Sequence, residues 1–241
     1  MPAVDGQAGQ PRQASMDANK RFSYRLLITA AMLACCGVLA ISIDVPVSQW
    51  WSTQGLPGDL RKLVTLAEFF GHGCGAALIL VGFFVLLPNR RRQLPRLTAC
   101  AFASGMLANV GKGLVQRTRP YEFDYTSPIT ASFTEWFPFF GEHADQSFPS
   151  GHTALAFGLA VGLLALFPRG RWLFLAYASL AACQRMNANV HFLSDVLCGA
   201  AVGCLGPALC YHSKLLGRWF DQIELPVVPT DSTKEECRVA A

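Results

Sequence analysis

Apolar residues in this chain gather in runs too long for the strands or short helices of a soluble core. Residues 26–43 (LLITAAMLACCGVLAISI), 74–88, 94–111, 151–168, 171–183 and 192–211 are each largely apolar. A helix needs about 20 such residues to cross a bilayer, because a backbone in lipid must satisfy its own hydrogen bonds. With flanking residues the six runs approach that length, and the fifth extends through Gln184 and Arg185, whose polar groups must then face protein or water. The predicted fold class is all-α: a six-helix transmembrane bundle. A content of 52% hydrophobic and 15% charged residues in 241 agrees. A cleaved signal peptide competes for residues 26–43, but the polar stretch before it and the five apolar runs after it favour a retained helix.

Of the nine cysteines, eight lie in these runs, where a thiol behaves as a small apolar side chain, and none falls in a disulfide or metal spacing. The net charge of +4 comes from cations scattered between the apolar runs and forms no basic stripe, which argues against nucleic acid. Topology accounts for it better. Arg12, Lys20, Arg21 and Arg25, then Arg90, Arg91, Arg92 and Arg96, then Arg169 and Arg171, then Lys214 and Arg218 fall on one side of the predicted membrane. Arg61, Lys62, Lys112, Arg117, Arg119 and Arg185 fall on the other, six against twelve. Basic loops stay cytoplasmic, so both termini are expected inside, and the second set periplasmic or external, in a bacterial inner (plasma) membrane.

Residues 1–22 are expected to be a disordered cytoplasmic tail, 23–218 the membrane domain and 219–241 a second cytoplasmic tail. The outer loop is aromatic: Tyr121, Phe123, Tyr125, Phe133, Trp136, Phe137, Phe139, Phe140 and Phe148 suit the headgroup level. It reads equally as an interfacial anchor and as a rim through which a lipid reaches a site.

Two clusters of outer cations lie at helix ends. Lys112 and Arg119 in KGLVQRTRP are seven apart, two helical turns, and so project from one face, with Pro120 forcing the chain out of the helix at Arg119. Arg185, His191 and Asp195 occur in RMNANVHFLSD. His191 and Asp195 are i and i+4, so the carboxylate can fix the imidazole tautomer and leave the other ring nitrogen outward, as a nucleophile requires. Asn187 and Asn189 mark a break that ends the fifth helix at Arg185 and starts the sixth at His191. In FPSGHTALAF, Ser150 caps a helix whose first N–H groups, from Gly151 and His152, can bind an anion. A cap alone leaves His152 unexplained. A buried His–Asp pair and snorkelling lysines are the bland alternatives.

Taken together, Lys112 with six residues before Arg119-Pro120, then Pro149-Ser150-Gly151-His152, then Arg185 with five residues before His191 and three before Asp195, resemble the three-part signature of the type 2 phosphatidic acid phosphatase family, which shares its site with vanadium haloperoxidases. The likeness spans roughly residues 25–215. Gln184 departs from the Ser usual in the family and is expected to alter pocket geometry. The resemblance implies an active site at the outer membrane–water interface where His191 attacks phosphorus, Asp195 steadies its imidazole, and His152 acts as acid and then base. Lys112, Arg119, Ser150, Gly151 and Arg185 would bind the phosphate, with no metal and no cofactor. The partner it implies is a lipid phosphate: phosphatidate, phosphatidylglycerophosphate, polyprenyl diphosphate or a lipid A phosphate. A binding or transport protein on the same fold is the alternative. Glu68 and His72, i and i+4 on the second helix, are expected to bond each other or to line the substrate path.

Overall fold

A computed structural model describes residues 10–138, 146–212, 214 and 216–224, with side chains from Met16 onward. Phe139 and Phe140 of the aromatic loop and residues 225–241 lie outside the described residues. The chain is mostly helical. Helix α1 (Gln10–Ala40) continues through a 3-10 turn into α2 (Asp44–Thr53). Helices α3 (Gly58–Leu66), α4 (Glu68–Gly71) and α5 (Gly73–Leu86) follow, then α6 (Leu94–Lys112), α7 (Gly151–Leu166), α8 (Arg171–Asn187), α9 (Leu193–His212) and α10 (Leu216–Glu224). Strands β1 (Val115–Arg117) and β2 (Phe133–Trp136) pair antiparallel, with Val115 opposite Trp136, and add a small ribbon to the helical architecture.

Among the described residues, Met16–Thr53 and α9 are long and apolar enough to cross a membrane, and the pair Gly58–Gly71 and Gly73–Leu86, bent by 71°, makes a third if it counts as one span. The expected six spans are not reached by that measure. Helix α7 has only 16 residues and α8 only 17, and α6 is made less apolar by Arg96. Two expected boundaries also move. Helix begins at Gln10, inside the expected N-terminal tail, and α10 crosses the expected border at 218. The second apolar run is preceded by helical α3 and α4, which the polar residues of RKLVTLAEFFGH concealed.

Helix α7 is the centre of the bundle. Its small residues Ala154, Ala156, Gly158 and Ala160 are buried, so it can be enclosed by α6, α8 and α9. A Cβ at Gly158 would meet the Cys100 carbonyl at 2.4 Å, which fixes how closely α6 approaches. Within α9, Pro207 lacks the N–H that would bond the Gly203 carbonyl. The Ser104 hydroxyl of α6 lies 3.1 Å from that carbonyl and donates to it, while also reaching Cys100 O at 2.8 Å. Helix α1 packs along α9, and its Ser23 hydroxyl donates to Ala208 O at 2.8 Å.

At the end of the bundle where α5 and α7 finish, arginines satisfy orphan carbonyls: Arg90 donates to Leu166 O at 3.0 Å and Arg91 to Phe84 O at 2.8 Å. Buried Arg96 pairs with Asp221 at 2.5 Å and Glu224 at 3.2 Å, which pins α10 to the bundle.

Candidate active site

At the opposite end, the C-termini of α6 and α8 meet the N-termini of α7 and α9 around a cavity of about 440 Å³, within the size range of small-molecule sites. Lys112, Arg119, Gly151, His152, Arg185 and His191 are on its wall, together with His72. Six of the eight expected site residues thus converge from sequence positions up to 79 apart, from Lys112 to His191. Asp195 lies behind His191, fully buried. Ser150 is also buried, and its Oγ is occupied as a cap, accepting from the Thr153 N–H at 3.4 Å and the Thr153 hydroxyl at 2.9 Å. It does not line the cavity.

Lys112 and Arg119 do not share a helix. Helix α6 stops at Lys112, and the segment beyond it is drawn into β1, with the Thr118 N–H on Ser132 O at 2.8 Å and Arg117 O accepting from the Ser147 N–H at 2.9 Å. Arg119 is extended (φ −74, ψ 153), as the following proline demands. The two cations reach one cavity through a chain reversal and not through helical periodicity.

The break between the fifth and sixth apolar runs is a Schellman turn. Asn189 adopts φ 56, its N–H reaches Met186 O at 2.9 Å, and the Val190 N–H reaches Arg185 O at 3.2 Å. Helix α8 therefore ends at Asn187 and α9 begins at Leu193, two residues outside the expected limits, which places His191 in the connection.

The imidazole of His191 is 5% exposed. Its Nδ1 stands 3.9 Å from Asp195 Oδ2, too far for the direct bond expected from their spacing. Ser147 sits between: its hydroxyl donates to Asp195 Oδ2 at 2.5 Å, and its Oγ is 3.5 Å from His191 Nδ1. Asp195 also accepts the Phe192 N–H at 2.8 Å, closing the first turn of α9 as a capping-box residue does. Nδ1 is thus turned inward and Nε2 is left for the cavity. Burial first, then the charges of Arg185 and Lys112, push the His191 pKa well below the ordinary 6.5, while a bond to the Ser147 backbone acts the other way. That direction favours the neutral imidazole, the form with a free lone pair.

Glu68 and His72 are separated by the break at His72, whose extended backbone (φ −90, ψ 140) ends α4. The expected bond between them is replaced by other partners. Glu68 takes Arg185 Nη1 at 2.8 Å and Gln184 Nε2 at 3.0 Å, and Gln184 Oε1 accepts from Arg185 at 3.1 Å. Gln184, the departure from the family pattern, therefore bridges the arginine and its carboxylate. His72 Nδ1 accepts the Cys74 N–H at 3.2 Å, and its ring is 5.6 Å from that of His152. Among the described residues no three His, Cys, Asp or Glu side chains converge as metal donors.

Four residues of the surroundings escaped sequence reasoning: Asp44, Arg117, Ser147 and Ser194. Asp44 had a signal, since it is the lone charge between Arg25 and Asp59, beside an apolar run where charge is costly. The other three had none, because their partners are distant in sequence.

The sequence profile of the PAP2 superfamily matches residues 93–218, just over half of the chain. Lipid A 1-phosphatase of Rhizobium etli is 41% identical over 42% of this chain and 41% of its own length. Decaprenylphosphoryl-5-phosphoribose phosphatase of Mycobacterium tuberculosis is 30% identical over 61% of this chain and 76% of that protein. The matched region spans under half the length of the lipid A phosphatases it resembles. Two solved structures share the fold. LpxE of Aquifex aeolicus has a TM-score of 0.54 at 24% identity over 70% of this chain and 96% of that one. A transmembrane PAP2 type phosphatidylglycerolphosphate phosphatase of Bacillus subtilis has a TM-score of 0.57 at 19% identity over 86% and 98%. With the profile covering all three motif segments of the cavity, the chain belongs to the PAP2 superfamily.

Proposed function

We propose that this chain is a membrane lipid phosphatase, a phosphoric ester hydrolase that works through a phosphohistidine on His191. The observation that carries the reading is the cavity itself, where three cations share the wall with three histidines, one of which, His191, is backed by a carboxylate and a serine. Such a wall suits a phosphate dianion bearing a leaving group. The names of the relatives, a lipid A phosphatase and a polyprenyl-linked phosphatase, favour a lipid carrier.

In the first step the His191 Nε2 lone pair attacks phosphorus while the bond from phosphorus to the lipid oxygen breaks. His152 gives its proton to the departing alkoxide. The Nδ1 proton of His191, directed at Ser147, is retained, so positive charge on the ring is balanced by Asp195 behind it. In the second step His152 takes a proton from water, the water oxygen attacks phosphorus, and the P–N bond breaks to release inorganic phosphate and free His191. Lys112, Arg119, Arg185 and the N–H of Gly151 hold the equatorial oxygens throughout, which is mostly positioning and charge stabilisation. The steps as written balance without a metal or cofactor.

The site would face the periplasm or its equivalent, with the arginine-rich end cytoplasmic. Purified full chain in nanodiscs, assayed against phosphatidate, phosphatidylglycerophosphate, polyprenyl diphosphate and lipid A phosphate, tests the reading. At least one should release inorganic phosphate, and His191→Ala should abolish release. Binding without turnover would return the transport reading.

A further inference from the structure

Among the described residues Arg117 is the most deeply buried cation, and it is not on the wall of the catalytic cavity. Its guanidinium lies between two rings, with Cζ 4.5 Å from the centroid of Phe133 and 4.2 Å from that of Phe192. Nη1 donates to Asp195 Oδ1 at 2.5 Å and to Ser194 Oγ at 2.7 Å, Nη2 to Asp44 Oδ2 at 2.8 Å, and Nε to Ser132 Oγ at 3.1 Å. Asp44 is tied in turn to the start of α9: its Oδ1 accepts the Ser194 N–H at 2.9 Å and its Oδ2 the Ser194 hydroxyl at 2.5 Å. Asp44 and Asp195 are themselves fully buried.

Two carboxylates and an arginine removed from solvent are a poor way merely to staple helices, since apolar residues of similar volume do so without desolvating charge. The planar guanidinium offers something apolar packing lacks, a fork that fixes direction. By taking Oδ1 of Asp195 it leaves Oδ2 aimed at Ser147, and Ser147 faces His191 Nδ1.

We infer that Arg117 and Asp44 are positioning residues for the nucleophile: Asp44 holds the guanidinium, the guanidinium holds the Asp195 carboxylate, and Asp195 holds the His191 ring through Ser147. Helix α2 and strand β1 thereby join the catalytic apparatus without touching substrate. The inference rests on His191 being the nucleophile.

The test compares Asp44→Asn, Arg117→Lys and His191→Ala in the full-length protein. It measures kcat and KM on an activated aryl phosphate, the rate of phosphoenzyme formation, and the thermal unfolding midpoint. Asp44→Asn keeps shape and loses charge; Arg117→Lys keeps charge and loses the fork. For each, kcat and phosphoenzyme formation per folded molecule are expected to fall about 10- to 100-fold, with KM held within about threefold, as misaligned reacting groups behave. Wild-type kcat per folded molecule, a loss confined to KM, or failure of both variants to fold would overturn the inference, the last because the pair would then be structural. Activity surviving in His191→Ala would instead remove the reading beneath it.

Discussion

The two histidines differ in what they ask of the substrate. A nucleophile is needed for every phosphate ester, whereas a general acid matters only as far as the leaving group needs a proton. His152→Ala should cut turnover of a lipid phosphate severely, by about 10²-fold or more, yet still form phosphoenzyme from an aryl phosphate whose phenolate departs unaided. Quantifying trapped phosphoprotein in that variant checks this, and its absence would reassign the roles. Because burial and neighbouring cations depress the His191 pKa, its ring stays neutral as pH falls through the ordinary 6.5. On an activated aryl phosphate, whose phenolate needs no proton from His152, phosphoenzyme formation should therefore show no acid limb as pH falls from about 8 through 6.5; an acid limb centred at or above 6.5 with that substrate would contradict the burial account. Gln184→Ser should loosen Arg185 from Glu68 and raise KM for a lipid phosphate by roughly two- to fivefold with kcat little changed, read from initial rates. The motif residues that meet in the cavity stood out in the sequence because polar groups at the ends of apolar helices are costly and here fall in clusters. Asp44 stood out only as an isolated charge, and what it and Arg117 do was hidden, because it lies in a contact between residues 73 apart.

Among the elements, the apolar runs announced the helices, and Asn189 announced the break after α8, since αL backbone is a local fact; Pro120 marked only the extended backbone of Arg119, for α6 already ends at Lys112. The ribbon of β1 and β2 had no such signal, for Val115–Arg117 pairs with a strand reached only through a long loop, and sequence periodicity extended α6 through it. The kink at His72 was hidden because Gly71 and Gly73 also occur in membrane helices. Close approach sets the other element-scale feature: a Cβ at Gly199 of α9 would meet Ser150 O at 2.6 Å, just where α7 begins beside Asp195. Gly199→Ala should push α9 from α7, destabilise the protein by about 1–3 kcal/mol and lower kcat. A thermal midpoint and kcat equal to wild type would show that the two helices separate without consequence.

For the whole molecule, helix direction places all the proposed phosphate ligands at one end and the arginine-rich caps at the other. Cations at the arginine-rich end also serve the fold, as Arg96 with Asp221 shows. If the site faces outward, cysteines introduced at Ser127 should react in intact cells with a membrane-impermeant thiol reagent, and those at Gly170 only after permeabilisation, in a background lacking the native exposed thiols. The covalent intermediate is the claim from which the roles of the cavity residues follow. Its most direct measurement is a rapid acid-free quench of the purified protein with phosphorus-labelled substrate, followed by a stability profile of the trapped label. The account predicts labelled protein whose phosphate survives alkali and is lost in acid, absent from His191→Ala. Turnover in the wild type with no such species, or the same label persisting in His191→Ala, would contradict it.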